Sequence, residues 1–161
     1  MAKEEQKLLT FCLDKEEYGI SIVKVKELIG MMDITKVPRT PEYVKGVINL
    51  RGKIIPVMDL RIKFGLVPQE YTDRTCIIVV EAVIRDKKRI LGIIVDTVSE
   101  VVSLPTDSIE PPPEYGSTAD QSSIFGIAKI EDNVVIILDI DKIFMNDDIT
   151  RISDFYREGN L

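Results

Sequence analysis

The residues able to do chemistry are few and badly placed for it. Histidine is absent from the 161 residues, which excludes a histidine-based nucleophilic triad and a phosphohistidine donor. Acidic pairs occur at Glu131-Asp132 and Asp147-Asp148. Both stand in turn-like or terminal text, where carboxylates are solvated rather than poised for acid–base work. Asp59 and Asp139 each precede a short apolar-periodic stretch; a phospho-acceptor role would need an α/β receiver pattern, and the surrounding text is strand-rich. Gly52 and Gly65 make neither a GxGxxG nor a GxxxxGK pattern, so no phosphate loop is present. Cys12 and Cys76 lack CxxC spacing and histidine partners, which argues against zinc; two small, buried free thiols are expected, with a disulfide the minor alternative. A binding body with no catalytic residue, metal or cofactor is expected.

What positions these residues is a unit used twice. Glu42 to Gly65, EYVKGVINLRGKIIPVMDLRIKFG, recurs in weakened form from Ser122 to Met145, SSIFGIAKIEDNVVIILDIDKIFM. Gly46 matches Gly126, Asp59 matches Asp139 and Phe64 matches Phe144 at one common spacing, with the apolar rows in phase. Upstream, Gly19 matches Gly92 and Glu27 matches Glu100 at a slightly different spacing, so each repeat holds about five strands.

Period-two and short continuous apolar runs dominate over helical spacing. Leu8 to Leu13, a DKEE turn, then Tyr18 to Ile22 reads as a hairpin; Cys76 to Ile84, an RDKK turn, then Arg89 to Val95 reads as its longer counterpart. Val47 to Leu50 and Lys53 to Val57 form a second hairpin around Arg51-Gly52, where glycine accepts a positive φ. Asp132-Asn133 is the expected turn of the matching hairpin. Asp59 and Asp139 read as N-caps of short helices, each worth about 1 kcal/mol, and Gly65 stops the first. VPRTP, from Val37 to Pro41, cannot be a central strand and reads as a crossing loop. Glu110 to Ser123 is Pro/Gly/Ser-rich and reads as a mobile surface loop. The segment 146–161 has helix-compatible apolar spacing at Ile149, Ile152, Phe155 and Tyr156, and reads as a C-terminal helix or tail.

Hydrophobic residues make up 45% and charged ones 30% of the chain, with a net charge of −6. That balance suits a globular fold and argues against nucleic acid, which needs a dense basic footprint. Neither a signal-peptide core nor an apolar run of about 18 residues is present, so a cytoplasmic protein without direct membrane insertion is expected.

The string KGVINLRGKIIPVMDLRIKFG, preceded by EYGISIVKVKELI and VPRTP and followed by GIIVDTVSEVV and LDIDKIF, resembles the CheW family of bacterial chemotaxis coupling proteins. The resemblance spans about Leu8 to Phe144, and the NLRGKIIPVMDLR string is specific. It implies a mainly β fold: two intertwined SH3-like five-stranded barrels sharing a hydrophobic core. A single domain at 7–145 would comprise repeats at about 15–72 and 73–145, with the N-terminal strand packing across. It further implies an adaptor, not an enzyme, that couples the cytoplasmic signalling tip of chemoreceptors to the regulatory domain of the histidine kinase CheA within membrane-associated arrays. Positions resembling the receptor-facing surface are Leu9, Ile22, Val25, Glu27, Leu28 and Val98; Lys45, Gly46, Arg51 and Gly52 match coupling or structural positions. Glu27 and Arg51 are expected to form an ion pair that fixes the hairpin against the groove wall, and if it is partly buried, breaking it from one side would cost about 3 kcal/mol. The kinase-contact residues are not identified. The alternative is a peptide- or small-ligand-binding β-barrel module unrelated to kinase control.

Overall fold

The computed structural model describes residues 4–67, 70–112 and 123–144. In chain order they form β1 (Glu5–Leu13), β2 (Glu16–Ser21), β3 (Val25–Gly30), β4 (Val44–Leu50), β5 (Lys53–Asp59), α1 (Leu60–Lys63), β6 (Cys76–Ile84), β7 (Lys87–Val95), β8 (Thr97–Pro105), β9 (Ile124–Ile130), β10 (Asn133–Leu138) and α2 (Ile140–Ile143). A 3-10 turn at Ile22–Lys24 joins β2 to β3. The expected Glu110–Ser123 loop falls largely, and the C-terminal helix or tail wholly, outside the described residues.

Local chemistry explains most of the hairpins. Arg51 and Gly52 adopt φ of 51° and 87°, the paired left-handed geometry whose twist matches the flanking strands. Asp14-Lys15 and Arg85-Asp86 do the same, so these turns are two residues long rather than the four expected. Glu16 and Lys87 instead extend the ladders, pairing with Leu13 and Ile84. The turn of the β9–β10 hairpin also shifts: Asn133 pairs with Ile130, which leaves Glu131-Asp132 as the loop, with Glu131 at φ 55°. Ladder register decides this, overriding the turn preference of Asn133. VPRTP lies outside the strands, as expected.

The fold is mainly β and consists of two five-stranded sheets, ordered β8-β1-β2-β10-β9 and β3-β6-β7-β5-β4. Isolated bridges, Glu110 to Ile127 and Thr35 to Val47, tie the segments that follow β8 and β3 to the opposite edge strands β9 and β4 and close each sheet into a small barrel. Neither barrel is built from one repeat. The first takes its central hairpin β1–β2 from the first repeat and β8, β9 and β10 from the second; the other barrel exchanges the roles. The sheets therefore do not divide at residue 72: the intertwining is an exchange of hairpins, deeper than an N-terminal strand packing across. The parallel seams match in register, Ile137 beside Gly19 in one barrel and Val57 beside Gly92 in the other.

Continuous apolar runs follow from this arrangement because both faces of the central strands are buried. Leu8, Ala128, Val135 and Ile137 fill one barrel. Ile48, Ile55, Val57, Ile77, Val79 and Ile94 fill the other. Between them lies a larger shared cluster that includes Leu9, Phe11, Ile20, Met58, Ile78, Val80, Ile93, Leu138 and Phe144. Leu8 and Leu9, like Ile77 and Ile78, point to opposite faces and so serve different clusters.

Candidate partner-binding surface

Four of the expected surface positions meet on the shared cluster. Leu9 is a buried member of it, only 3% exposed, while Ile22, Val25 and Val98 are partly buried and pack against it. Ile22 lies in the 3-10 turn between the barrels, and Val25 and Val98 begin the edge strands β3 and β8. Leu9 thus supports the seam from beneath and presents almost no contact area. Leu28 faces the other way and is 47% exposed, an apolar side chain available on β3.

Glu27 and Arg51 form the expected ion pair through Glu27 Oε1 and Arg51 Nη2. Burial is one-sided: the Glu27 side chain is 30% exposed, but the Arg51 side chain is 71% exposed. Water solvates the guanidinium in either state, so breaking the pair costs about 0–1 kcal/mol instead of 3. The turn beneath it is held by the Gly52 N–H, which donates to Asn49 Oδ1 at 2.8 Å. The pair rims a groove of about 610 Å³ at the mouth of its barrel, floored by Leu50, Ile55, Val79 and Ile90. Lys26 crosses this mouth to Glu81 at 2.9 Å, and that hydrogen bond lowers the Glu81 pKa from its ordinary value. The corresponding mouth of the other barrel is a smaller cleft of about 90 Å³, lined by Glu17, Glu100 and Glu131 and, among the described residues, by no basic side chain. The two mouths share a backbone frame and differ in charge.

Lys45 and Gly46 sit at a bulge in β4, where the register with β5 shifts between Val44 and Gly46. Gly46 has φ 141°, and a Cβ there would lie 2.0 Å from the Thr35 carbonyl oxygen. The barrel-closing bridge thus requires glycine. A Cβ on Gly126 would likewise meet Glu110 O at 2.7 Å, so the matched glycines reflect one backbone constraint used twice.

Asp59 and Asp139 are N-caps, accepting from the Arg61 and Asp141 backbone N–H groups at 2.9 and 3.0 Å. Asp59 does more than cap. Its carboxylate also receives Arg61 Nε and Nη2 at 3.0 and 2.8 Å, and both residues are buried. Arg61 Nη1 donates to Asp96 at 2.9 Å, Asp96 accepts the Asp14 backbone N–H at 2.8 Å, and the Tyr71 ring lies 5.2 Å from the guanidinium. The Asp59 hydrogen bonds raise the Arg61 pKa and keep it charged despite burial. The matching place in the second repeat holds the opposite sign: Asp141 on α2 pairs with Lys24 at 2.9 Å and accepts the Val83 N–H at 2.8 Å. Neither network is legible in the sequence, because LRIKF reads as a short apolar-periodic helix; the local signal is an arginine two residues after a capping aspartate.

The cysteines are free but half-buried rather than buried. Cys12 Sγ donates to Glu17 at 3.1 Å, and burial, then that carboxylate, raises its pKa. No cluster of three metal-ligating side chains occurs among the described residues, and none of their helices is long and apolar enough to cross a membrane.

A family model described as a CheW-like domain matches residues 7–148. The chain is 37% identical over 149 residues to the chemotaxis protein CheW of Klebsiella aerogenes, covering 92% of this chain and 87% of that one. It is 34% identical over 146 residues to the chemotaxis protein CheW of Helicobacter pylori, covering 90% and 85%. Among solved structures, the scaffolding protein TtCheW from Thermoanaerobacter tengcongensis aligns with a TM-score of 0.77 at 42% identity, covering 88% of this chain and 93% of that chain.

Proposed function

Since the chain belongs to the CheW-like family, we propose that it is a non-catalytic chemotaxis adaptor, binding the cytoplasmic signalling tip of chemoreceptors and the regulatory domain of the kinase CheA. The observation that carries this reading is the seam between the barrels. There Ile22, Val25 and Val98 are partly open above the shared core, with Leu9 buried beneath them. A receptor tip is a helical bundle, and one helix laid along such a seam inserts apolar side chains from a single face. Glu27 and Arg51 rim the neighbouring mouth, with Gly52 in the turn beneath them, and a charged pair of small intrinsic stability can exchange partners there at low cost. Lys45 and Gly46 act through the backbone, by holding the barrel closed.

An adaptor transmits a signal only if its interfaces distinguish receptor states, which makes the coupling a difference in binding free energy. The body at 7–145 serves as one unit at the cytoplasmic face of receptor arrays, and no kinase-facing residue is assigned. The test is a titration of the full chain with a receptor hairpin fragment and, separately, with the CheA regulatory domain. Both are expected to bind, and Glu27→Ala is expected to weaken binding of the receptor fragment while leaving the melting temperature and kinase-domain binding unaffected. Failure to bind either partner, or a Glu27→Ala protein unchanged towards the receptor fragment, overturns the reading. Saturable small-ligand uptake without kinase affinity would favour a ligand-binding module in the 610 Å³ mouth instead.

A further inference from the structure

The two repeats diverge at one aromatic position, and the divergence leaves a pocket. The Tyr43 carbonyl accepts the Asp59 N–H at 2.7 Å, and the Ser123 carbonyl accepts the Asp139 N–H at 2.8 Å. Tyr43 and Ser123 therefore occupy the same place in the two halves. In one half the Tyr43 ring stacks on Phe144 with centroids 6.5 Å apart. The counterpart of Phe144 is Phe64, and Ser123 has no ring to lay upon it. In that place is an open, apolar pocket of about 150 Å³ bounded by Tyr18, Phe64, Ser123, Ile124, Ile136 and Leu138. A comparable volume in an apolar cavity takes up benzene. Phe64 is also the end of a stack, with Phe11 6.1 Å from Tyr18 and Tyr18 6.0 Å from Phe64. One more ring would extend it.

We propose that this pocket is an intramolecular docking site for an aromatic side chain of the C-terminal segment, Phe155 or Tyr156. The position of the segment's start supports that occupant. Phe144, at the end of α2, has its ring 5.9 Å from Lys63 Nζ, and Lys63 is the chain neighbour of Phe64 in the pocket wall. The segment thus begins beside the short helix whose next residue, Phe64, walls the site. The eleven residues from Phe144 to Phe155 reach about 17 Å even as a helix, ample for the return. Ile149, Ile152, Phe155 and Tyr156 share helical spacing, so one apolar face can lie along the pocket while the acidic residues between them stay in water. Tyr18, Ile124, Ile136 and Leu138 belong to one barrel, whereas Phe64 follows the helix attached to the other. A docked ring bridges the barrels and clamps their seam, a role independent of any chemotaxis partner.

Methyl-labelled NMR of the full chain tests this. Cross-relaxation is expected between the Phe155 or Tyr156 ring and the Ile124, Ile136 and Leu138 methyls, with ring-current shifts that vanish in Phe155→Ala/Tyr156→Ala. Ser123→Tyr supplies the missing ring in cis, and is expected to abolish the same cross-peaks and speed tryptic cleavage after Arg151 and Arg157. Methyl shifts unchanged by the double alanine variant overturn the proposal. So do shifts lost only on replacing Tyr115, or cross-peaks that arise between differently labelled molecules.

Discussion

Replacing Arg61 by methionine is expected to strand the Asp59 carboxylate. Arg61 is 1% exposed and Asp59 0%, and the guanidinium donates to that carboxylate through both Nε and Nη2. Removing one member of a buried pair costs about 3–5 kcal/mol, because the remaining charge keeps its desolvation penalty and loses its partner. Asp96 adds less, since its side chain is 23% exposed and water can replace the lost contact. With a urea m-value of about 2 kcal/mol/M, the unfolding midpoint should fall by about 1.5–2.5 M. Arg51→Met is the internal control: at 71% exposure it should move the midpoint by no more than about 0.5 M. The chain contains no tryptophan, so unfolding is best followed by circular dichroism. Asp59→Asn combined with Arg61→Met keeps a capping side chain and removes both charges, and should recover part of the loss. An Arg61→Met midpoint equal to that of Arg51→Met, or a double variant less stable than the single one, would refute the reasoning.

Two further outcomes follow from the same structure. Gly46→Ala places a methyl 2.0 Å from the Thr35 oxygen at φ 141° and should cost about 3 kcal/mol or more, whereas Gly30→Ala meets nothing within 4 Å and should be neutral in the same melt; equal effects would disprove the backbone constraint. Burial raises the pKa of Cys12, Cys76, Tyr18 and Tyr71. The folded state favours their protonated forms, so that contribution is complete below the ordinary thiol value of 9.0 and is lost as pH rises through the folded values. Melting temperature should therefore decline above about pH 9, with the thiol part absent from Cys12→Ser/Cys76→Ser; a profile flat to about pH 10.5 would contradict it.

What was legible in the chain was local. Asp59, Asp139, Gly46 and the Arg51-Gly52 turn are set by backbone needs within a few residues, and a second occurrence at matching spacing reinforces each. The exchange of hairpins was not legible, because a repeat has the same spacing whether its hairpin packs on its own strands or on those of its twin. The Glu27–Arg51 contact could be anticipated from two charges in apolar text. Its small energy could not, since exposure is a tertiary property. Asp132-Asn133 was misplaced because turn propensity is weaker than the register imposed by a buried strand. Arg61 escaped notice because its second partner, Asp96, is 35 residues away.

The opposite signs at the two matching seams say which strands belong together. Arg61 and Asp96 meet because β5 lies beside β7, and Asp141 and Lys24 meet because β10 lies beside β2. If each repeat closed on itself, β5 would lie beside β2 and β10 beside β7. Asp96 matches Val23, one residue before Lys24, so Arg61 would then face the stretch that carries Lys24, and Asp141 the stretch that carries Asp96. Both seams would repel, so the charge pattern acts as a key that admits the exchanged topology and rejects its near-isomorphous competitor. Swapping the charges with Lys24→Asp/Asp141→Lys preserves attraction in the native pairing while making the competitor attractive as well. Refolding yield, rather than native stability, should fall; an undiminished yield would show that the hairpins find their partners by apolar contacts alone.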